Sequence, residues 1–210
     1  MIIDKIGNVS KLPDGICIEE GELSEGLVPV RNLATNKCGY VNKNGNLVID
    51  YKYQEAKNFY EGLALVSYDG RGFGFIDKRG EIVVPFIYGE FTSNFKNGIA
   101  RVCDSRYNIR SDYKLAKYAN VGVINKKGEK LVSPGDYEKL GWFDDGMACV
   151  LKNGKMGFIN VRGELVIPCI YDEYSHLYDV PFMSGLARVE KNGKVGFVDK
   201  QGNSTFDKIQ

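Results

Sequence analysis

Apolar and polar residues alternate along this chain in short runs, and glycines punctuate the runs. GLALVSY (62–68), GIARVCD (98–104), GMACVLK (146–152) and GLARVEK (185–191) are four such runs. Alternation with period two is the mark of a half-buried strand, because successive side chains point to opposite faces. A tight turn follows, clearest at Asn153-Gly154 and Asn192-Gly193. Asn-Gly suits a type I′ hairpin turn, which needs positive φ at both central residues. The second strand is GFGFIDK (72–78), GVINKK (122–127), GFINVR (157–162) or GFVDKQ (196–201). A glycine inside it marks a bulge or a close backbone approach. After a second glycine turn comes a third strand, EIVVPFIY (81–88) or ELVIPCIY (164–171). Pro85 and Pro168 cannot donate to a ladder, so this strand ends there or lies at a sheet edge. Tyr53, Tyr88, Tyr137 and Tyr171 close the units, and Phe59, Phe95, Phe143 and Phe182 follow in the connectors. These aromatic residues are placed to plug between neighbouring sheets.

The pattern recurs. The glycine opening the first strand falls at 26, 62, 98, 146 and 185, at intervals of 36, 36, 48 and 39 residues. A second glycine falls at 39, 74, 122, 157 and 196, and a third at 45, 80, 128, 163 and 202. Three glycines in fixed order, five times over, identify a repeat protein. The predicted fold is all-β: tandem three-stranded antiparallel meander repeats in an open twisted array. The alternative is a five-bladed β-propeller closed by the N-terminal strand. Residues 1–24 read as an N-terminal half-repeat cap, since IIDKIGNV (2–9) matches the second half of a unit. Five repeats follow, at about 25–60, 61–96, 97–144, 145–183 and 184–210, forming one domain with the cap. The last repeat ends in a shortened third strand at Phe206 and Asp207.

Gly-Leu-Ala-x-Val, then Asn-Gly-Lys-x-Gly-Phe-Ile/Val-Asp/Asn-Lys-x-Gly, then Val-Ile-Pro-x-x-Tyr-Asp resembles the bacterial WG repeat, also called KWG. The resemblance runs from about Glu25 to the C-terminus and includes the half-unit. At the position of the Trp that names the family this chain has Cys38, Phe73, Val121, Met156 and Val195. All are apolar, which keeps the buried role. The resemblance implies a repeat scaffold that mediates interactions and implies no defined chemistry.

Composition narrows the function. The formal net charge is +1, so neither a basic footprint for nucleic acid nor an acidic one covers the whole chain. The five cysteines, 17, 38, 103, 149 and 169, show no CxxC spacing, and read as mostly buried thiols of a reducing, cytoplasmic compartment. The first residues show no signal-peptide pattern, and no apolar run is long enough to span a membrane. His176 is the only histidine and lies in a connector; with scattered thiols it makes neither a triad nor a zinc site. Gly70, Gly72 and Gly74 fall in a hairpin and not between a strand and a helix, so they read as turn and strand glycines. The acid pairs Glu19-Glu20 and Asp144-Asp145 read as solvated loop charges. The chain is therefore expected to be non-enzymatic, with no cofactor, no metal and no catalytic residue.

Specific function should lie where the copies differ. The 48-residue interval is 12 longer than 36, and the surplus lies in 103–118, where Arg106, Tyr107, Arg110 and Tyr113 interleave. A projecting loop of Tyr and Arg suits a protein partner. Trp142, the single Trp, either joins the core beside Phe143 or faces out as a stacking surface. The candidate binding residues are thus Arg106, Tyr107, Arg110, Tyr113 and Trp142. The expected function is a protein-interaction module, the alternative a carbohydrate or cell-wall binding module. A glycan partner ranks below a protein, and nucleic acid lower still.

Overall fold

A computed structural model describes residues 2–3, 9–19, 21–104, 120–173 and 182–208. Among these the structure is all β, apart from one 3-10 turn at Thr205–Lys208. Strands β1 (Ile2–Ile3) and β2 (Val9–Ser10) pair antiparallel. The first full sheet runs β3 (Ile16–Ile18), β4 (Leu27–Asn32), β5 (Lys37–Asn42), β6 (Leu47–Tyr53), and the second β7 (Glu55–Tyr60), β8 (Leu63–Ser67), β9 (Phe73–Asp77), β10 (Ile82–Tyr88). Next come β11 (Ile99–Cys103), β12 (Val121–Asn125) and β13 (Lys130–Val132), with β12 pairing β13. A sheet of β14 (Lys139–Asp144), β15 (Met147–Lys152), β16 (Lys155–Asn160) and β17 (Leu165–Asp172) follows, then the pair β18 (Leu186–Lys191) and β19 (Lys194–Asp199). Each sheet is an open antiparallel meander in sequence order, the predicted unit repeated in tandem.

Three of the sheets have four strands and not three. The additional strand is the connector, exemplified by β7 and β14. It meets the next strand across a two-residue turn, with Tyr60 opposite Leu63 and Asp144 opposite Met147. The turn residues Glu61 and Gly62, and Asp145 and Gly146, all have positive φ, the type I′ geometry. A bulge hides this strand from a period-two reading: the register shifts between Ala56 and Phe59, and between Leu140 and Phe143.

The repeated glycines have two distinct structural causes. Gly39, Gly74 and Gly157 lie beneath a bulge of their own third strand, and Gly122 lies against the Val132 carbonyl and Pro134. A methyl group on Gly157 would stand 2.5 Å from the Ile167 carbonyl oxygen, and those on Gly39 and Gly74 would strike the carbonyls of Ile49 and Val84. The register shifts where these glycines sit, between Cys38 and Tyr40, Phe73 and Phe75, and Met156 and Phe158. The third-turn glycines sit on the neighbouring repeat. A methyl on Gly80 would meet Ile49, one on Gly128 would meet Val84, and one on Gly163 would meet Leu131 and Val132. Ile49 and Val84 therefore cover a glycine of their own sheet with the backbone and touch the next repeat with the side chain. Pro85 and Pro168 stand in β10 and β17, which are edge strands and continue past the proline.

The chain forms two compact units, Met1–Asn108 with Asn125–Glu129, and Ile109–Ile124 with Lys130–Gln210. In the first, the forward face of the first sheet (Leu27, Cys38, Tyr40, Ile49, Tyr53) packs on the rear face of the second (Ala64, Val66, Ile76), with Ala56 and Phe59 in the same core. On the rear face of the first sheet Val28, Val30 and Val41 are joined by Ile16 and Ile18 of β3, and Leu12 and Leu23 pack against them. The second unit repeats the interface: Met147, Met156, Phe158, Ile167 and Tyr171 pack on Ala187, Val189, Val198 and Phe182. The aromatic plug is confirmed at Tyr53, Tyr88, Tyr171, Phe59, Phe95 and Phe182, all buried; Tyr137 and Phe143 are only half-buried.

Two expectations need correction. Of the residues at the family's Trp position, Cys38, Phe73, Val121 and Met156 are buried, but Val195 is exposed because it lies on the outward face of the last sheet. The expected third strand at Phe206 and Asp207 is instead the 3-10 turn, preceded by a single bridge from Val198 to Ser204. Phe206 packs back on the core beside Tyr171, their ring centroids 6.3 Å apart.

Candidate functional site

Two of the acids that sequence reading left in solvent, Glu19 and Asp145, are engaged in the structure. Glu19 takes two hydrogen bonds from Arg31, from Nε and Nη2, each 2.7 Å. The Arg31 contact holds the Glu19 carboxyl below its ordinary range. Asp145 lies in the Asp-Gly turn ahead of β15. Its Oδ2 accepts the Gly185 N–H at 2.9 Å, and its Oδ1 meets Lys200 Nζ at 2.6 Å. Lys200 first, then the Gly185 amide, keep this carboxyl low. Asp145 is thus a joint between successive repeats.

The same joint recurs in the first unit. Glu25 Oε2 accepts from Gly62 N at 3.0 Å and meets Lys78 Nζ at 3.0 Å, and Glu61 Oε2 accepts from Gly98 N at 2.9 Å. Burial pushes the Glu25 carboxyl up, but Lys78 and the backbone amides outweigh it and the net direction is down. In these three cases the residue before the first-strand glycine binds the amide of the next such glycine. Sequence reading missed this role. Its signal was the acid at Glu25, Glu61 and Asp145, always one residue ahead of that glycine.

The remaining polar residues of the motif close turns. Asn42, Asp77, Asn125, Asn160 and Asp199 each accept from backbone N–H groups two and four residues on. Asp69 likewise accepts from Arg71 and Gly72, so Gly70–Gly72 is a turn and Gly74 lies in β9, as expected. The five cysteines are free thiols. Burial pushes Cys149 up to about 12 and Cys38 up to about 11, which keeps both protonated and poorly nucleophilic at neutral pH. Among the described residues no three or more His, Cys, Asp or Glu side chains gather as a metal site would, and no helix is long and apolar enough to cross a membrane.

Of the predicted binding residues, Arg106, Tyr107, Arg110 and Tyr113 lie outside the described residues, as does His176. Trp142 is described, and it faces out with 43% of its surface exposed. The cause is local. Trp142 stands on β14, an edge strand, within the bulge between Leu140 and Phe143. Leu140 and Gly141 point inward and the extra residue turns the indole away from the core. The matching bulge of β7 presents Asn58, whose Oδ1 accepts the Glu22 amide at 3.2 Å. Lys139, on the same strand, meets Glu173 at 2.8 Å. The cleft lined by Lys139, Gly141, Cys149, Met156 and Glu173 holds about 10 Å³, room for one water molecule and not for a substrate. The site is a surface, with one aromatic anchor on an open strand edge.

The profile of the family described as "WG containing repeat" matches residues 39–71, 73–104, 122–155 and 156–194. No curated protein matches the chain. Among solved structures, the chain is similar to the computationally designed Ika8 protein, at 13% identity and a TM-score of 0.43, over 93% of this chain and 59% of that one. It is similar to BamB from Moraxella catarrhalis at 14% identity and a TM-score of 0.42, over 86% of this chain and 57% of that one. For Hsv2p of Kluyveromyces lactis the identity is 12% and the TM-score 0.38, over 85% and 57%. The chain thus spans less than three fifths of each of these three proteins.

Proposed function

On the premise that this chain belongs to the WG containing repeat family, and is a repeat-built β scaffold, we propose that it is a non-enzymatic module that binds another protein. The observation that supports this reading is Trp142, an exposed indole on an edge strand. Trp is enriched among the residues that anchor protein interfaces. The motif's recurring acids, Glu25, Glu61 and Asp145, are engaged between repeats, and its buried thiols are held protonated. The insertion bearing Arg106, Tyr107, Arg110 and Tyr113 is the second contact in this reading. The free thiols suit a reducing compartment such as the cytoplasm.

The test is affinity recovery with the wild type, a W142A variant and a chain lacking residues 105–118. Loss of the same bound protein in either variant supports the reading; equal recovery by all three refutes it. An exposed indole also suits stacking on a sugar ring, the observation favouring a carbohydrate-binding module. Quenching of Trp142 fluorescence by a polysaccharide would favour that reading, and a flat response across a glycan panel would remove it.

A further inference from the structure

We propose that Asn153 is a site of spontaneous covalent modification, where water converts the side-chain amide to a carboxyl through a cyclic imide closed by the Gly154 nitrogen. The chain holds four Asn-Gly steps, at Asn44, Asn97, Asn153 and Asn192, and a lysine precedes each of them. Local sequence therefore barely separates them. Backbone shape does not separate three of them either. Asn97, Asn153 and Asn192 have φ of 55, 53 and 53, and the glycine after each also has positive φ, the type I′ turn. All three asparagines are exposed. What differs is the hydrogen bond made by the glycine N–H, the group that attacks.

In the reaction the Gly154 nitrogen gives its proton to solvent base and bonds to Cγ of Asn153. The Cγ–Nδ2 bond breaks and ammonia leaves. Water then opens the ring at either carbonyl, giving aspartate or its β-linked isomer, and nothing is oxidised or reduced. A hydrogen bond donated by the nitrogen has to be given up before it attacks, and a carboxylate at that bond opposes the negative charge growing there. Gly98 N–H donates to Glu61 Oε2 at 2.9 Å, and Gly45 N–H to the Asn42 carbonyl at 2.9 Å. At the Asn192 turn the Asp172 carboxylate stands opposite: Lys155 first, then the Asn192 and Gly193 amides, hold that carboxyl below its ordinary range. At the Asn153 turn the acid is Glu138, and its Oε1 takes the Asn153 N–H at 2.6 Å. Among the described residues the Gly154 N–H has no acceptor, and Gly154 itself is exposed to solvent. Asn153 therefore reacts first, Asn192 next, and Asn97 and Asn44 last. The product sets a second carboxylate in the turn whose amide Glu138 holds. Its β-linked form adds a methylene to the backbone where Lys152 pairs with Lys155.

Peptide mapping by mass spectrometry of the full chain, sampled during incubation in mildly alkaline buffer, tests this. Asn153 should lose its amide about tenfold faster or more than Asn97 and Asn44, with Asn192 between. In the chain unfolded in guanidinium these gaps should close, because the lysine-flanked steps then differ little. Glu61→Ala removes the acceptor at Gly98. It should raise the Asn97 rate towards that of Asn153 and leave Asn153 unchanged, with far-UV circular dichroism confirming that the variant folds. Asn97 or Asn44 keeping pace with Asn153 in the folded wild type would overturn the proposal. So would a ranking that survives unfolding, or a folded E61A protein in which Asn97 stays protected. Should E61A fail to fold, the folded and unfolded wild type decide between them. None of these outcomes depends on what Trp142 binds.

Discussion

Replacing Gly157 by Ala separates two reasons for keeping a glycine. Gly157 does not have positive φ, so alanine costs nothing there in backbone conformation. What it meets is atoms: the added methyl would stand 2.5 Å from the Ile167 carbonyl oxygen, 2.8 Å from Cys169 N and 2.9 Å from Cys169 Sγ. Two of these are backbone, so the β17 bulge must move. Overpacking of this kind costs about 3 kcal/mol, the upper part of the usual range. Gly154 is the control. It has φ +68 and nothing within 4 Å of a methyl, so G154A carries only the left-handed backbone term, about 1 kcal/mol. Both glycines belong to the same sheet and the same compact unit as Trp142. Urea unfolding followed by Trp142 fluorescence therefore reads both changes on one transition. With a slope of about 2 kcal/mol per molar, the midpoint should fall by about 1.5 M for G157A and about 0.5 M for G154A. Equal losses, or a larger one for G154A, would refute the assignment of Gly157 to close approach.

Further predictions rest on other parts of the structure. Ile167→Ala should cost about 4 kcal/mol, since Ile167 is buried in the inter-repeat core, whereas Ile170→Ala, at an exposed position, should stay within about 0.5 kcal/mol in the same assay. The carboxyls of Glu19, Glu25 and Asp145 are lower in the folded than in the unfolded chain. Their stabilisation is therefore complete above the unfolded value of about 4 and is lost as pH falls through the folded ones. Glu25→Gln should shallow the fall in stability measured by urea titrations at successive acid pH values. The thiols run the other way: burial raises Cys38 and Cys149, so stability is lost as pH rises above about 8.5. In the native protein at neutral pH, Cys17 and Cys169 should react with a thiol reagent well before Cys38, Cys103 and Cys149, counted by mass spectrometry after brief labelling.

The sequence disclosed the repeats because their glycines answer to backbone demands that no other residue meets. Type I′ turns at Asn153-Gly154 and Asn192-Gly193, and close approach at Gly74 and Gly157, were legible from residue type and spacing. The fourth strand was not. In β7 the buried residues are Ala56 and Phe59, three apart across a bulge, which breaks the alternation that marks a strand. The inter-repeat carboxylates were also hidden: Glu25 and the amide it binds are 37 residues apart, a distance only the stacked fold closes. For Trp142 the sequence allowed core or surface, and the bulge at Gly141–Trp142 turns it outward.

The joint between repeats has a consequence for how such a chain lengthens. The copies that begin at Glu25, Glu61 and Asp145 each carry the acid that accepts from the following repeat, and those that begin at Glu61, Asn97 and Ser184 the glycine amide that donates to the preceding one. A copy also carries the third-strand aliphatic residue on which the next turn glycine rests, and that glycine itself. The copy that begins at Glu61 thus holds both kinds of half within one period. A tandem duplication that spans a whole period arrives with its own connections at either end, and the flanking copies need no compensating change. Loss of a partial period that takes one half of a joint, by contrast, separates an acceptor from its donor, whereas extra residues in a hairpin, as at 103–118, do not. Gain or loss of repeats in whole units should therefore disturb this architecture less than gain or loss in fractions of one.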